Sequence, residues 1–383
     1  MKNKITWIIA GYYLLHYITM GVYSPYVNVY YERIGFNGSQ IGMISLVGLI
    51  CAMICAPIFG MLCDKTKNEK AVISGLMLLA GASMLVWRAQ TEFVYVLITA
   101  TLLLIFRSDI GSLADSLSVK ICNRFDMKFS FIRAIGSLGY LVGAFVIANI
   151  LNMFGEQGPY VGCYVLCMVL GAILVWFFPK AESETSKEKV SITKDGLALL
   201  KNKDFIFITI VMIFTTMILD CAVAYAGNHL VATLEQPDSI IGIFSCAMVL
   251  PEVFLVMYIN TFVKKLGLKK VYILACISQI IRLLVYAFSN NIILFLVAST
   301  LHGIMIGVGT VGNVEFMYKR IDRKMLSTAM SLYNATYTIT TALSSQVFGW
   351  IYQYGSSNMI FLISAVLTCI PLVMITTSKR FSE

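Results

Sequence analysis

The sequence predicts an all-α membrane protein: twelve transmembrane helices in two six-helix halves, with both termini in the cytoplasm. Three observations predict it. Hydrophobic residues make up 58% of the 383-residue chain and charged residues only 13%, with a mean hydropathy of +0.81, which leaves too little polar surface for a soluble protein. Apolar runs of roughly twenty residues, the length needed to cross a bilayer core, recur between polar breaks. Lysine and arginine gather in alternate loops, the charge asymmetry that orients helices in membranes.

The elements follow in order. The apolar runs place spans at 5–31, 40–62, 71–88, 93–119, 129–152, 160–178, 205–232, 240–262, 270–289, 292–316, 326–352 and 358–377. Met1–Lys4 lead directly into the first run with no cleavage site behind it, so that helix is expected to remain as an anchor rather than act as a signal peptide. The basic loops hold Lys65, Lys67 and Lys70; Lys120, Arg124 and Lys128; Lys264, Lys265, Lys269 and Lys270; and Lys319, Arg320, Arg323 and Lys324. The intervening loops carry few cations, Arg33 and Arg88 being the exceptions. An even number of spans returns the chain to its starting side, in keeping with Lys379 and Arg380. The formal charge of +9 is therefore an orientation signal, and no nucleic-acid partner is expected.

The segment 179–204 differs from the rest, being dense in Lys, Glu, Ser and Thr. It falls at the midpoint and divides the chain into an N-terminal half (1–178), a cytoplasmic linker (179–204) and a C-terminal half (205–383). Within it, 187–203 reads equally as a solvated tether or as an amphipathic surface helix. Each half could be built from three-helix repeats, as in many carriers. The ten cysteines lie mostly in apolar runs without metal-ligand spacing and read as packing residues. The glycines Gly136, Gly139 and Gly143, and Gly303, Gly307, Gly309 and Gly312, suit close helix approach. Gly307-x-Gly309-x-x-Gly312 lies within a span and follows no strand, which excludes a dinucleotide fingerprint. There is no phosphate-binding loop, nucleophile elbow or haem motif, so neither an enzyme, nor a cofactor, nor ATP-driven pumping within this chain is expected.

What stands out is charge inside the spans. An ionisable group in a span is costly unless it is paired or faces water, and such groups mark solute and ion pathways. Asp115 and Arg133 stand on the fourth and fifth spans, eighteen residues apart, with a short basic loop between them. Arg107 and Asp109 share the fourth span, two positions apart and so on different helix sides; Asp220, Glu252, Arg282 and His302 occupy the seventh to tenth, and His16 the first. Glu252 follows Pro251, whose missing N–H frees a backbone carbonyl and favours a cavity-facing carboxylate. This pattern points to a carrier that holds a small polar solute inside a helical bundle.

The same residues carry a resemblance. Met20-Gly21-Val22-Tyr23-Ser24-Pro25-Tyr26, Gln40-Ile41-Gly42-Met43 and the run Pro57 to Lys65 resemble the major facilitator superfamily, within it the oligosaccharide/proton symporter branch of lactose permease. Gly60-x-x-x-Asp64-Lys65 is similar to the superfamily's signature loop after the second helix, which implies a cytoplasmic gate at Gly60, Asp64 and Lys65; the loop's later glycine and arginine are replaced by Lys67, Asn68 and Glu69. Asp115 and Arg133 keep the spacing of the branch's sugar-binding carboxylate and arginine, and Gly136 and Gly139 follow as they do there. Tyr140 falls where a tryptophan stacks on the sugar ring. Asp220, Asn228 and Glu252 keep the branch's spacing, as do Arg282 and His302.

The resemblance implies substrate binding by Asp115, Arg133, Tyr140, Asn228, Glu252 and His302, and proton coupling by Glu252, Asp220, Arg282 and His302. It implies a proton-coupled symporter of a sugar or glycoside, working as a monomer in the cytoplasmic (inner) membrane by alternating access. Met305 occupies the place of the proton-carrying glutamate one turn beyond His302, Ser299 that of a lysine, and the eleventh span has no lysine to pair with Asp220. The branch's proton route therefore cannot be transferred residue by residue. A nucleoside or aromatic-acid permease, an uncoupled facilitator, and a transport-inactive sensor or assembly subunit remain as alternatives.

Overall fold

The computed structural model describes residues 2–154, 158–179, 198–322, 325–378 and 380. Among them every regular element is helical. A chain this apolar has few side chains able to satisfy backbone groups away from water, and a helix satisfies its own. The expected linker falls largely on 180–197, outside the described residues, as does Lys379.

α1 (Lys2–Tyr23) and α2 (Val27–Arg33) form one long segment with a turn at Ser24-Pro25-Tyr26. α3 (Gly38–Thr66) and α4 (Glu69–Trp87) follow, then α5 (Phe93–Ser108) and α6 (Ile110–Arg124), α7 (Phe129–Phe154) and α8 (Gly158–Trp176). After the linker come α9 (Lys203–Met212), α10 (Ile218–Ala224) and α11 (Ala226–Asn228), joined and ended by π-helical turns at Ile213–Met217 and His229–Thr233. α12 (Ser239–Leu266) and α13 (Leu268–Phe288) are continuous. α14 (Ile292–Ser299), α15 (His302–Gly307) and α16 (Asn313–Arg320) make up a broken segment with a third π-helical turn at Val308–Gly312. α17 (Leu326–Tyr354) and α18 (Ser357–Thr377) complete the fold.

Helix starts are set by side-chain caps. Asn37 and Gln40 form a reciprocal capping box at α3, and Asn68, Asn202, Asn291 and Ser356 accept from first-turn N–H groups of α4, α9, α14 and α18. Eight helical segments of the described residues are long and apolar enough to cross a membrane by length and composition. Tyr160–Trp176, Ser239–Leu255 and Ile292–Gly307 are shorter apolar helices, whereas α17 is rich in Ser, Thr and Tyr. Large apolar side chains such as Phe288, Ile293 and Trp7 lie exposed, as a lipid-facing surface requires.

The described residues divide into two compact units. One holds α1–α8 together with Gln236–Ser245; the other holds the remainder, from α9 to Glu235 and from Cys246 onward. In the first unit α1 lies directly on α7. A Cβ on Gly139 or Gly143 would overlap the carbonyl oxygen of Leu14 or Ile18, and one on Gly21 would overlap that of Tyr140. Tyr26 donates to the Ala144 carbonyl at 2.9 Å, fastening the end of this contact. Three ion pairs tie the unit's ends: Lys120–Glu69 at 2.5 Å, Lys2–Asp126 at 3.2 Å, and a two-pronged Arg33–Asp238 fork. In the second unit Lys269 donates to the carbonyls of Thr376 and Ser378, both at 2.9 Å, and Arg380 pairs with Asp204 at 3.2 Å.

The expected continuous fourth span is interrupted at Asp109. Ser112 donates to both the backbone carbonyl and the carboxylate of Asp109, while Ser108 donates back to the Ile105 carbonyl. Short polar side chains compete for backbone groups in this way and break helices locally. Similar interruptions adjoin other polar positions, Tyr225 before Asn228 and Thr300-Leu301 before His302, while Pro251 sits inside the continuous α12 directly before Glu252. Helix interruptions and π-turns of this kind recur at functional sites.

Candidate functional site

In the first unit Asp115 and Arg133 both approach α1, and neither touches the other. The carboxylate of Asp115 accepts a hydrogen bond from the Tyr13 hydroxyl at 2.5 Å. The Arg133 guanidinium lies 4.4 Å over the ring of Tyr17, one turn further along the same helix face. Tyr13 and Tyr17 stack at 6.4 Å with their planes 13° apart, so a carboxylate, two aromatic rings and a guanidinium follow one another along α1. Gly136, one turn after Arg133, makes room for the Tyr17 ring: a Cβ there would come within 2.7 Å of it.

The open valences are the chemically important feature. Arg133 has five N–H donors and makes no hydrogen bond or ion pair with the described residues; Asp115 uses only the Tyr13 contact. Both are half-buried, in surroundings where polar interactions are stronger than in bulk water. Tyr140 sits on α7 with its backbone against Gly21 and its side chain half-buried. The rings beside the two charges are thus Tyr13 and Tyr17 of the first helix. Neither was singled out from the sequence; their i, i+4 spacing beside the polar His16 was the available signal. His16, between them in sequence, is buried, stacks on Tyr12 at 5.9 Å and uses neither ring nitrogen in a hydrogen bond.

The second unit holds a separate set. Tyr337 of α17 donates to the Asp220 carboxylate, supplying a phenol in place of the lysine absent from this helix. Tyr333, Tyr337, Thr341 and Ser345 recur every four residues, and the last two meet Cys221 through the Thr341 carbonyl at 3.2 Å and the Ser345 hydroxyl at 3.4 Å. Asn313 links Tyr272 to Tyr333, accepting at 2.5 Å and donating at 2.7 Å. His302 Nε2 stands 4.0 Å from Glu252 Oε2, beyond hydrogen-bond length yet within electrostatic contact. Gly303 sets this distance, because a Cβ there would lie 2.5 Å from the Cα of Glu252, so only glycine lets α15 settle on the Pro251–Glu252 backbone.

Arg282 is fully buried, its guanidinium free of hydrogen bonds and 5.6 Å from the Tyr286 ring. Gln279, one turn earlier on α13, is equally buried with both amide atoms unbonded. Ser299, standing where the branch has a lysine, bonds to the Tyr286 hydroxyl at 2.7 Å. Asn228 is fully buried at the end of α11, and Met305 is a core residue. The residues expected to form a gate look different: Asp64 and Lys65 are exposed, and a Cβ on Gly60 would meet nothing within 4 Å. The ion pair formed near that end is Lys120–Glu69.

The Tyr337 contact has a measurable cost. Tyr337→Phe removes the one hydrogen bond that Asp220 receives among the described residues and is expected to lower stability by about 1–3 kcal/mol, read as a reduced unfolding midpoint in detergent. An unchanged midpoint would show that the carboxylate draws its support elsewhere.

The sequence profile of the MFS_1 like family matches residues 6–363. The chain belongs to that family. The chain is similar to the uncharacterised transporter YwbF of Bacillus subtilis (strain 168), 26% identical over 364 residues that cover 94% of this chain and 90% of that protein. The sucrose permease of Escherichia coli is 21% identical over 97% of this chain and 93% of its own length. Among solved structures, the nucleoside transporter NupG superposes with a TM-score of 0.86 at 15% identity, covering 99% of both chains. The chain is accordingly a multi-pass membrane transporter of the major facilitator kind, and it is not an enzyme.

Proposed function

We propose that the protein is a secondary active transporter that carries a small polar solute, a sugar or glycoside in the first instance, by alternating access and with proton coupling. The observation that carries this reading is the pair Asp115 and Arg133, half-buried on the α1 tyrosines, with Tyr13 the one hydrogen-bond partner the two have among the described residues. A carboxylate accepts and a guanidinium donates, which together suit vicinal hydroxyls, and the faces of Tyr13 and Tyr17 suit the apolar side of a sugar ring. Tyr140 in the first unit, and Asn228, Glu252 and His302 in the second, complete the proposed binding set. The sucrose permease relative supports the sugar class; likeness to NupG concerns the fold, and nucleosides form the comparison arm of the test.

For coupling, Glu252 and Asp220 are the proposed proton-carrying groups, with Arg282 and His302 biasing release. The core side chain Met305 cannot take that role, whereas Glu252 is a carboxylate with an imidazole 4.0 Å away, within electrostatic contact. The wider arrangement belongs to the same proposal: twelve spans in halves 1–178 and 205–383 about a cytoplasmic linker, both termini inside, a cytoplasmic gate at Gly60, Asp64 and Lys65, and a monomer in the inner membrane.

The test is uptake of labelled sucrose, maltose and a panel of nucleosides into proteoliposomes, with and without an imposed pH gradient. Sugar accumulation driven by the gradient is the expected result; gradient-driven nucleoside uptake without sugar uptake would overturn the substrate class. Glu252→Gln is expected to abolish accumulation against a gradient while leaving equilibrative exchange measurable. Full accumulation by that variant would remove Glu252 from the coupling role.

A further inference from the structure

Arg107 takes no part in the reading above, yet it is a cation near the middle of the fourth segment without an acidic partner among the described residues. Its guanidinium lies 4.4 Å over the Tyr23 ring, and one terminal nitrogen donates to the Met20 sulfur at 2.9 Å and the Ser24 hydroxyl at 3.4 Å. The other terminal nitrogen is buried and makes no hydrogen bond. α8 brings Tyr160 and Tyr164, four residues apart and so on one helix face, into the same neighbourhood. Tyr164 packs on Tyr23 with ring centroids 6.2 Å apart, and both phenols lie within electrostatic reach of Arg107. Tyr160 is 4% exposed and Tyr164 fully buried, and neither hydroxyl has a hydrogen-bond partner among the described residues.

Buried donors are nearly always satisfied, so three unsatisfied ones around a single charge call for an occupant. The Tyr23 ring face offsets part of the charge without neutralising it. Water would complete the hydrogen bonds but leave a net positive charge inside the bundle, which is the costly condition for a membrane span. An anion answers both needs, since it accepts from all three donors and cancels the charge.

We propose that Arg107, Tyr160 and Tyr164 form a binding site for a small monovalent anion, held by the free guanidinium N–H and two phenolic O–H groups. A free halide and a short carboxylate share this chemistry. The site is independent of the transported solute, and its test does not use transport.

Purified full-length protein in gluconate, a much bulkier anion than chloride, is titrated with chloride at constant ionic strength while the unfolding midpoint is followed. A ligand that binds only the folded state raises the midpoint saturably. A saturable rise with chloride and bromide is expected. Arg107→Gln should abolish it, and the double variant Tyr160→Phe/Tyr164→Phe should need at least tenfold more chloride to reach half its effect. The double variant keeps the test decisive should Arg107→Gln not fold. Acetate acting over the same concentrations as chloride would support the site and open it to carboxylates. No shift in the wild type, or an equal shift in Arg107→Gln or in the double variant, would overturn the proposal.

Discussion

Arg133→Ala is expected to abolish solute uptake while leaving the protein folded. Among the described residues Arg133 makes no hydrogen bond or ion pair; its guanidinium lies over the face of Tyr17, at 4.4 Å. Stability should therefore change little. A bound solute, by contrast, would lose its charge-assisted hydrogen bonds, each worth about 1.5–3 kcal/mol. One such bond corresponds to roughly 10- to 100-fold in affinity, and a guanidinium can supply two. Asp115→Ala should behave alike for uptake, with a small additional stability cost because the Tyr13 hydroxyl loses its acceptor. Uptake kinetics in proteoliposomes, beside unfolding midpoints of the same preparations, separate the two effects. Normal uptake by either variant would remove the pair from the binding role.

The second large effect concerns the contact of α1 with α7. Gly139→Leu is expected to cost at or above the upper end of about 1–3 kcal/mol typical of overpacking, because the atoms in the way are the carbonyl carbon and oxygen and the Cα of Leu14. Backbone cannot rotate aside as a flexible side chain can. Helices in lipid associate largely through such close van der Waals approach, with little hydrophobic gain to compensate its loss. The variant should fail to accumulate as monodisperse protein, or unfold at a clearly lower temperature. Gly75→Ala and Gly162→Ala are the controls, since a Cβ at either would meet nothing within 4 Å. Equal tolerance of all three substitutions would contradict the packing described for the first unit. The consequence reaches function, because α1 carries Tyr13 and Tyr17, and moving it displaces the surfaces on which Asp115 and Arg133 rest.

These two cases also divide what was legible in the chain from what was not. Gly136, Gly139, Gly143 and Gly303 were readable as small packing residues, but their partners were not. Which glycine meets backbone, which meets a side chain and which meets nothing is decided by where a distant helix runs. The intramembrane charges were equally readable, since hydropathy makes an acid or base in an apolar run conspicuous at once. Arg107 and Asp109 show the limit of that reading. Their two-residue spacing places them on different sides of an ideal helix, yet the helix break at Asp109 and the aromatic surroundings of Arg107 arise from serine hydroxyls and from tyrosines on other helices. The Tyr333–Tyr337–Thr341–Ser345 stripe was present as a four-residue period in a span otherwise noted for lacking lysine, and its meaning emerged once Asp220 was found against it.

By itself, then, the sequence determined that this protein is an apolar helical chain of the major facilitator kind with a small set of charges inside its spans. Those properties are local: they follow from hydropathy over a window of residues, from capping side chains next to the helices they start, and from motif spacing. Only the tertiary structure decided that Asp115 is held by Tyr13, 102 positions away, and Asp220 by Tyr337, 117 positions away. Hydrogen bonds reach about 3 Å whatever the separation along the chain, so the partners of a buried charge are chosen by how helices pack and leave no imprint on the residues beside it.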